Sequence, residues 1–335
     1  MKILITTGIY PPQIGGPSFY AQGLAGALER AGHSVRVATF GPFLGFPLGI
    51  RHILFFFRHI FSAYWADGII ALDTFSVALP SVWLRTLTKT PLIIRTGGDF
   101  LWEQYVERTK EKILLSEFYT QSRSFTRKEQ IIFKLTKWIL HHTDILVFST
   151  NYQRDIWMAP YELSGVRTAR IENFYGPKQK GEVPTKKNFV CFTRNLILKN
   201  LDTLNRAFAQ AQILHPDITL EVHEARHEEV LHVLRSCYVV VLVSFSEVSP
   251  NLILEAISYG RPVILTSDNG LVERTSDVAY MVNPLDERVI VNAISDMADI
   301  QIRNWHAHRT EKVSFVHTYD DIAREFIGLI QRICV

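Results

Sequence analysis

The sequence predicts an α/β protein built from two domains with parallel sheets, on three observations. Short apolar runs of strand length alternate with segments of helical apolar spacing, which is how β-α-β units read. A stretch of linker composition, YGPKQKGEVPTKK at residues 175–187, interrupts that alternation near the middle of the chain. The 335 residues suffice for two domains of ordinary size, and 47% apolar against 21% charged residues supply a core for each.

The elements follow in order. Residues 2–7 form the first strand. Gly15, Gly16 and Pro17 open a helix through Arg30, since proline suits a first helical turn whose amides lack partners, and Gly32 stops it. Residues 34–40 are the next strand, 50–66 a helix and 68–72 a buried strand. A helix over 77–87 and a strand over 91–95 come next. Residues 103–120 and 124–142 read as helices, 145–149 as a strand, 151–158 as a helix and 168–172 as a short last strand. This first domain spans 1–175, with 176–187 as the linker. The second domain, 188–312, opens with a strand at 189–192. Its first helix places Leu201, Leu204, Phe208 and Ala211 on one face. A strand at 218–223 passes quickly into a helix around 228–235, and 238–243 reads as a buried strand. Pro250 starts a helix that Gly260 and Pro262 end. The closing segment, 318–334, carries Ile322, Phe326, Leu329, Ile330 and Ile333 at helical spacing.

Composition narrows the function classes. A net charge of +3 gives no global reason to expect nucleic acid. Cys191, Cys237 and Cys334 are widely spaced and form no CxxC, so neither disulfides nor structural zinc is expected, and a reducing cytoplasm fits. The first apolar run is too short for a signal peptide. The longest apolar stretch, 43–65, is broken by Pro47, Arg51, His52, Arg58 and His59, short of a membrane span. The 12 histidines show no ligand spacing, and D-x-D, G-x-G-x-x-G, G-x-S-x-G and a P-loop lysine are missing.

The chemistry concentrates in residues 247–262. Glu247 lies in a polar loop after the 238–243 strand, and Glu255 lies inside the following helix. Both carboxylates can face one crevice at the carboxyl end of a strand, where open α/β sheets bind ligands. Ser249 and the first-turn amides of Asn251 and Leu252 suit an anion there. Carboxylates suit sugar or ribose hydroxyls and amides suit phosphate, so the pair of features predicts a sugar-nucleotide site.

The stretch SEVSPNLILEAISYGRPVIL resembles the EX7E motif of retaining glycosyltransferases of the GT-B fold, family-4 type, also called glycosyl transferases group 1. The resemblance implies two Rossmann-like domains facing across a cleft, with Glu247 on the donor sugar as a catalytic candidate and Glu255 on the ribose. The segment YPPQIGGPSFYAQGLAGALERAGHSVRV is similar to the family's opening, which implies that Gly15 and Gly16 face the donor phosphates and acceptor. FVCFTRNLILKN resembles its diphosphate site, with Arg194 and Lys199 as the cations and Thr193 where a glycine is usual. In IIRTGGDFLWEQ, glycines stand where the family often has a histidine. Arg95 is near, and Asp99 is either a second catalytic candidate that orients a hydroxyl or a helix cap. Asn269, Gly270 and Glu273 resemble a later turn near the sugar, and Asn173 a structural hinge residue. The C-terminal helix, 318–334, is expected to pack back on the first domain. Between Pro216 and Ser244 the chain lacks a strand–helix unit usual in the family, which implies a smaller second sheet.

The implied reaction moves a sugar from a nucleoside-diphosphate sugar to a hydroxyl acceptor with retention, the acceptor being a glycolipid, lipid-linked or polysaccharide precursor. No cofactor or metal is expected, because arginine, lysine and helix amides can neutralise the diphosphate. Residues 51–61 and 123–137 mix bulky apolar side chains with cations and suit peripheral contact with an anionic inner membrane face. A non-catalytic binding protein of polysaccharide assembly, or a GT-B epimerase or phosphorylase, are the other readings.

Overall fold

The computed structural model describes residues 1–13 and 15–334. By contacts the chain divides into two units, one of Met1–Gly98, Ser124–Phe174 and His317–Val335, the other of Asp99–Arg123 and Tyr175–Val316.

The first unit opens with β1 (Lys2–Thr7), α1 (Gly16–Arg30), β2 (Ser34–Thr39), α2 (Leu48–Trp65), β3 (Gly68–Ala71), α3 (Ala78–Thr88) and β4 (Leu92–Arg95). Two helices then leave it for the second unit, α4 (Phe100–Thr109) and α5 (Leu115–Phe118). The chain returns with α6 (Arg127–His141), β5 (Ile145–Phe148), α7 (Asn151–Met158) and β6 (Thr168–Arg170). The strands form one parallel sheet in the order β2-β1-β3-β4-β5-β6. Central β3, β4 and β5 are buried at every residue, as strands covered on both faces must be. Edge strand β2 is open and carries Ser34 and Arg36. The connections β1→β2 and β2→β3 run in opposite directions across the sheet, so right-handed crossovers put α1 on one face and α2 on the other. α3 packs against both α2 and α6, so these three share a face.

The second unit adds β7 (Lys187–Phe192), α8 (Leu201–Leu214), β8 (Ile218–His223), α9 (His227–Leu234), β9 (Val239–Leu242) and α10 (Asn251–Ser258). It continues with β10 (Val263–Thr266), α11 (Val272–Thr275), β11 (Tyr280–Val282), α12 (Glu287–Ala298) and α13 (Ile300–Glu311). Its parallel sheet runs β11-β10-β9-β7-β8. The order reverses between β7 and β9, because β7 leads outward to β8 and the chain then returns to β9 on the other side. That gap is the topological switch point of this sheet, where open α/β sheets leave a crevice at the strands' carboxyl ends.

Several elements depart from the sequence reading for identifiable reasons. The single helix expected over 103–120 is two. Lys110 adopts a left-handed conformation at φ 63° and ends α4, and the Trp102 indole donates to the Ile113 carbonyl at 3.0 Å, which folds the tail back. The helix expected from 124 starts at Arg127, because Thr126 and Glu129 form a reciprocal capping box. The 176–186 segment has no helix or strand, yet it is fastened to the second unit. Buried Arg261 donates to the carbonyls of Cys237, Glu182 and Arg235, and Lys178 to those of Ile257 and Thr310.

The last helix, α14 (Tyr319–Cys334), belongs to the first unit and lies along α1. It buries Ile322, Phe326 and Ile330 completely against Tyr20, Leu24 and Ala27. Two glycines permit this approach. A Cβ on Gly68 would come within 2.9 Å of Ile330, and one on Gly23 within 2.4 Å of the Tyr319 ring. That ring stacks on Phe174 at 4.8 Å and meets Tyr20 edge-on at 6.0 Å, so it has little room to move. In an open helix Gly→Ala gains about 1 kcal/mol. Overpacking costs about 1–3 kcal/mol and decides the sign here. Gly23→Ala is therefore expected to lower the urea midpoint of the protein, and an unchanged or higher midpoint would show that α14 does not sit this close to α1.

Candidate functional site

The carboxyl ends of β7 and β9 carry the site. After β7 the chain passes Arg194 and makes a 3-10 turn, Ile197–Lys199. Asn200 follows in a left-handed conformation at φ 57°, a geometry that asparagine tolerates better than most residues. Its side-chain amide donates to the Val243 and Pro284 carbonyls at 3.2 and 2.8 Å. The Phe245 amide donates to the Leu198 carbonyl at 2.9 Å. The turn is thus tied to the loop after β9, and Lys199 is delivered to Glu247.

Lys199 Nζ lies 2.6 Å from Glu247 Oε1, with only 19% and 12% of the two side chains exposed. The Ser244 hydroxyl donates to the same oxygen at 2.6 Å. The backbone of Glu247 is fixed as well. Its amide donates to the Asp268 carbonyl at 3.0 Å, and its carbonyl accepts from the Gly270 amide at 2.9 Å. Buried Asn269 holds that second loop by donating to the Thr266 carbonyl at 2.6 Å and accepting from the Leu271 amide at 2.8 Å. Asn269 and Gly270 therefore place Glu247, while Glu273 on α11 is exposed. Glu247 Oε2 has no hydrogen bond among the described residues and is open to a hydroxyl.

Arg194 is exposed, and its guanidinium makes neither a hydrogen bond nor an ion pair among the described residues. Beside it stands a residue that the sequence reading passed over. Glu103 on α4 is half-buried, and loss of water pushes its carboxyl up to about 7. The charge of Asp99 adds to that rise, Lys199 and Arg194 oppose it, and Glu247 adds a little more. α4 reaches this place because Glu107 Oε1 accepts from the Leu198 amide at 3.3 Å. A local signal existed, since Glu103 and Glu107 are one turn apart in FLWEQYVE, but nothing local says what that helix face meets.

Asp99 caps α4. It accepts from the Trp102 amide at 2.9 Å and from the Tyr119 hydroxyl at 2.8 Å, and it is buried. Glu255, eight residues after Glu247, bonds His227 at 2.8 Å, and this contact raises the imidazole pKa. His227 opens α9 and also went unnoticed in the sequence. Ser249 is half-buried before α10, whose first residues are Asn251 and Leu252, and Gly260 ends that helix region at φ 68°. Cys191 lies nearby, but burial pushes its thiol up to about 12, so it is inert.

The first-unit candidates stay in their own unit. Gly15 caps α1 at φ 151°, a conformation that essentially only glycine adopts, and Gly16 begins the helix. Arg95 is buried with its guanidinium 3.9 Å from the Tyr20 ring, donating to the Thr96 carbonyl at 3.2 Å and to Asn173. Arg95 and Asn173 are structural partners of each other. Exposed Ile50, Ile53, Phe57, Phe61 and Tyr64 form a stripe along α2, and α6 exposes Ile131 and Trp138 beside Lys128 and Lys134. No helix among the described residues is long and apolar enough to cross a membrane. No cluster of His, Cys, Asp or Glu among them is arranged to hold a metal ion.

Residues 190–299 match the family model described as "Glycosyl transferases group 1". No curated protein matches the chain in sequence. Among solved structures it is similar to a sucrose-phosphate synthase from Thermosynechococcus elongatus, at TM-score 0.73 and 15% identity over 100% of this chain and 99% of that one. It is similar to WaaG, a glycosyltransferase involved in lipopolysaccharide biosynthesis, at TM-score 0.71 and 13% identity over 98% and 99%. An α,α-trehalose-phosphate synthase (UDP-forming) from Burkholderia xenovorans aligns at TM-score 0.64 and 12% identity over 98% and 100%. The second unit therefore carries a glycosyl transferases group 1 domain, and the chain has the GT-B fold that the sequence led us to expect.

Proposed function

We propose that this chain, a glycosyltransferase by its group 1 domain and its fold, moves a sugar from a nucleoside-diphosphate sugar bound on the second unit to a hydroxyl acceptor, with retention of configuration. The observation that carries this reading is the buried Lys199–Glu247 pair beside the open guanidinium of Arg194, at the switch point of the second sheet. Arg194 binds a phosphate with its planar fork and Lys199 as a point charge. Lys199, held against Glu247 and mostly out of water, and Arg194, free to close on the phosphate, stabilise the charge that grows on the diphosphate as the sugar leaves. No metal or cofactor is assigned to that task. Glu247 Oε2 accepts from sugar hydroxyls. Glu255, steadied by His227, accepts from the ribose, and the start of α10, with Ser249, Asn251 and Leu252, faces the phosphates. Asp99 acts as a cap and not as a catalytic group. The first unit, with Gly15 and Gly16 at its leading loop, takes the acceptor.

The exposed faces of α2 and α6 support a lipid-linked acceptor at an anionic membrane surface. Large apolar side chains alternate with cations there, and the two helices lie on the same side of the first sheet, each in contact with α3.

A nucleoside diphosphate at about 100 times its dissociation constant stabilises a folded protein by roughly 2.7 kcal/mol. One of UDP, GDP, ADP or TDP is expected to raise the melting temperature in EDTA, and Arg194→Ala and Glu255→Ala to lose the shift. A folded sample that responds to none of them would favour a non-catalytic binding protein. For the membrane surface, the protein is expected to float with anionic vesicles at low salt and less so at high salt, and Phe57→Ser with Phe61→Ser to stay in solution. Equal flotation of the variant would remove α2 from that role.

A further inference from the structure

Glu103 has no part in the donor site assigned above, yet it feels the charges of Lys199, Arg194 and Glu247. The face of α4 that carries Glu103 and Glu107 is turned to the 3-10 turn, since Glu107 accepts from the Leu198 amide one residue before Lys199. The other carboxylates around it each have at least one oxygen bonded. Asp99, on the same helix, is held by the Trp102 amide and the Tyr119 hydroxyl. Glu247, from the loop after β9, gives one oxygen to Lys199 and Ser244, and Glu107 is bonded to the turn. Glu103 alone makes no hydrogen bond and no ion pair among the described residues, although Arg194 and Lys199 are near enough to be felt.

We propose that Glu103 is the proton-binding group of the donor site. When a nucleoside diphosphate settles on Arg194 and Lys199, Glu103 takes one proton from solvent and, as the neutral acid, donates a hydrogen bond to a phosphate oxygen. The proposal rests on the donor-site reading given above. Its physical ground is that a carboxylate and a phosphate cannot stay charged side by side where water is scarce, whereas a carboxylic acid is a donor. In the empty site the ionised form helps to balance the two cations. The free carboxyl sits at about 7, so it holds its proton below that pH and has lost most of it above. Bound phosphate pushes it further up. Binding therefore takes up little at pH 6 and about one proton at pH 8.5, and affinity falls by up to about tenfold per pH unit above roughly 7. The ligand's own last phosphate ionisation lies near 6, so it titrates at the lower end of that range and contributes little above about pH 7.5, where the uptake is read.

The test is calorimetric titration of wild-type protein with the nucleoside diphosphate that it binds, in buffers of different ionisation enthalpy, with dissociation constants measured from pH 6 to 8.5. Wild type is expected to take up close to one proton at the upper end and to weaken steadily. Glu103→Gln is expected to take up close to none, with an affinity flat across the range. Glu103→Asp keeps a titrating group, serves if the glutamine variant fails to fold, and is expected to retain uptake. His227→Gln, which alters the other titrating side chain near the nucleotide, is expected to leave the uptake in place. Equal proton uptake by wild type and Glu103→Gln would overturn the proposal while leaving the donor site standing. No binding of any nucleoside diphosphate to wild type would overturn the donor site, and this proposal with it.

Discussion

The site depends on the ion pair between Lys199 and Glu247. Two opposite charges, each mostly withdrawn from water, meet at the gap where the second sheet reverses direction. Such a pair adds little net stability, because desolvation offsets much of the attraction, but removing one partner strands the other at a cost of about 3–5 kcal/mol. The chain accordingly surrounds the pair with bonds that fix where each member stands. Asn200 ties the lysine turn to the loop after β9, and Asp268 and Gly270 hold the backbone of the glutamate. An arrangement that costs stability to keep two charges in place is better suited to meeting a ligand's charges than to holding the fold together.

Around that pair the charges divide by task. Arg194 is left open, Glu255 is held by His227, and half-buried Glu103 has no hydrogen-bond or ion-pair partner among the described residues. The arrangement answers a diphosphate with one fixed cation, one open cation and one adjustable carboxyl. Elsewhere cations are spent on the scaffold. Arg261 and Lys178 saturate backbone carbonyls that fasten the 176–186 segment, and Arg95 lies on Tyr20 with Asn173. Each of the three donates to protein groups, unlike Arg194.

Much of this was legible in the chain because it is local. The central strands of the first sheet read as short apolar runs, since strands covered on both faces need them, and the helix after Pro250 announced itself by its proline, its glutamate and Gly260. The 151–158 helix matches α7 residue for residue. What escaped depends on partners far away in sequence. The sequence reading left 99–123 in the first domain, but its contacts are with the second unit. Leu115 bonds Ser246, and Glu107 bonds Leu198, across separations that no local pattern encodes. Glu103 and His227 were missed for the same reason, because each acquires its meaning from a neighbour on another element. The capping box at Thr126 is present as T-x-x-E, two residues after the helix start that the sequence analysis gave.

The most direct measurement compares dissociation constants for a nucleoside diphosphate and for its sugar-bearing form, in wild type, Lys199→Met and Glu247→Gln. If the pair organises the donor site, Lys199→Met weakens both ligands by about 10–100-fold, the range of a lost charge-assisted hydrogen bond. Glu247→Gln then still binds the bare nucleotide but no longer distinguishes it from the sugar nucleotide. Folded variants that bind both ligands as wild type does would contradict the account, and the Lys199–Glu247 pair would then be a structural pair only.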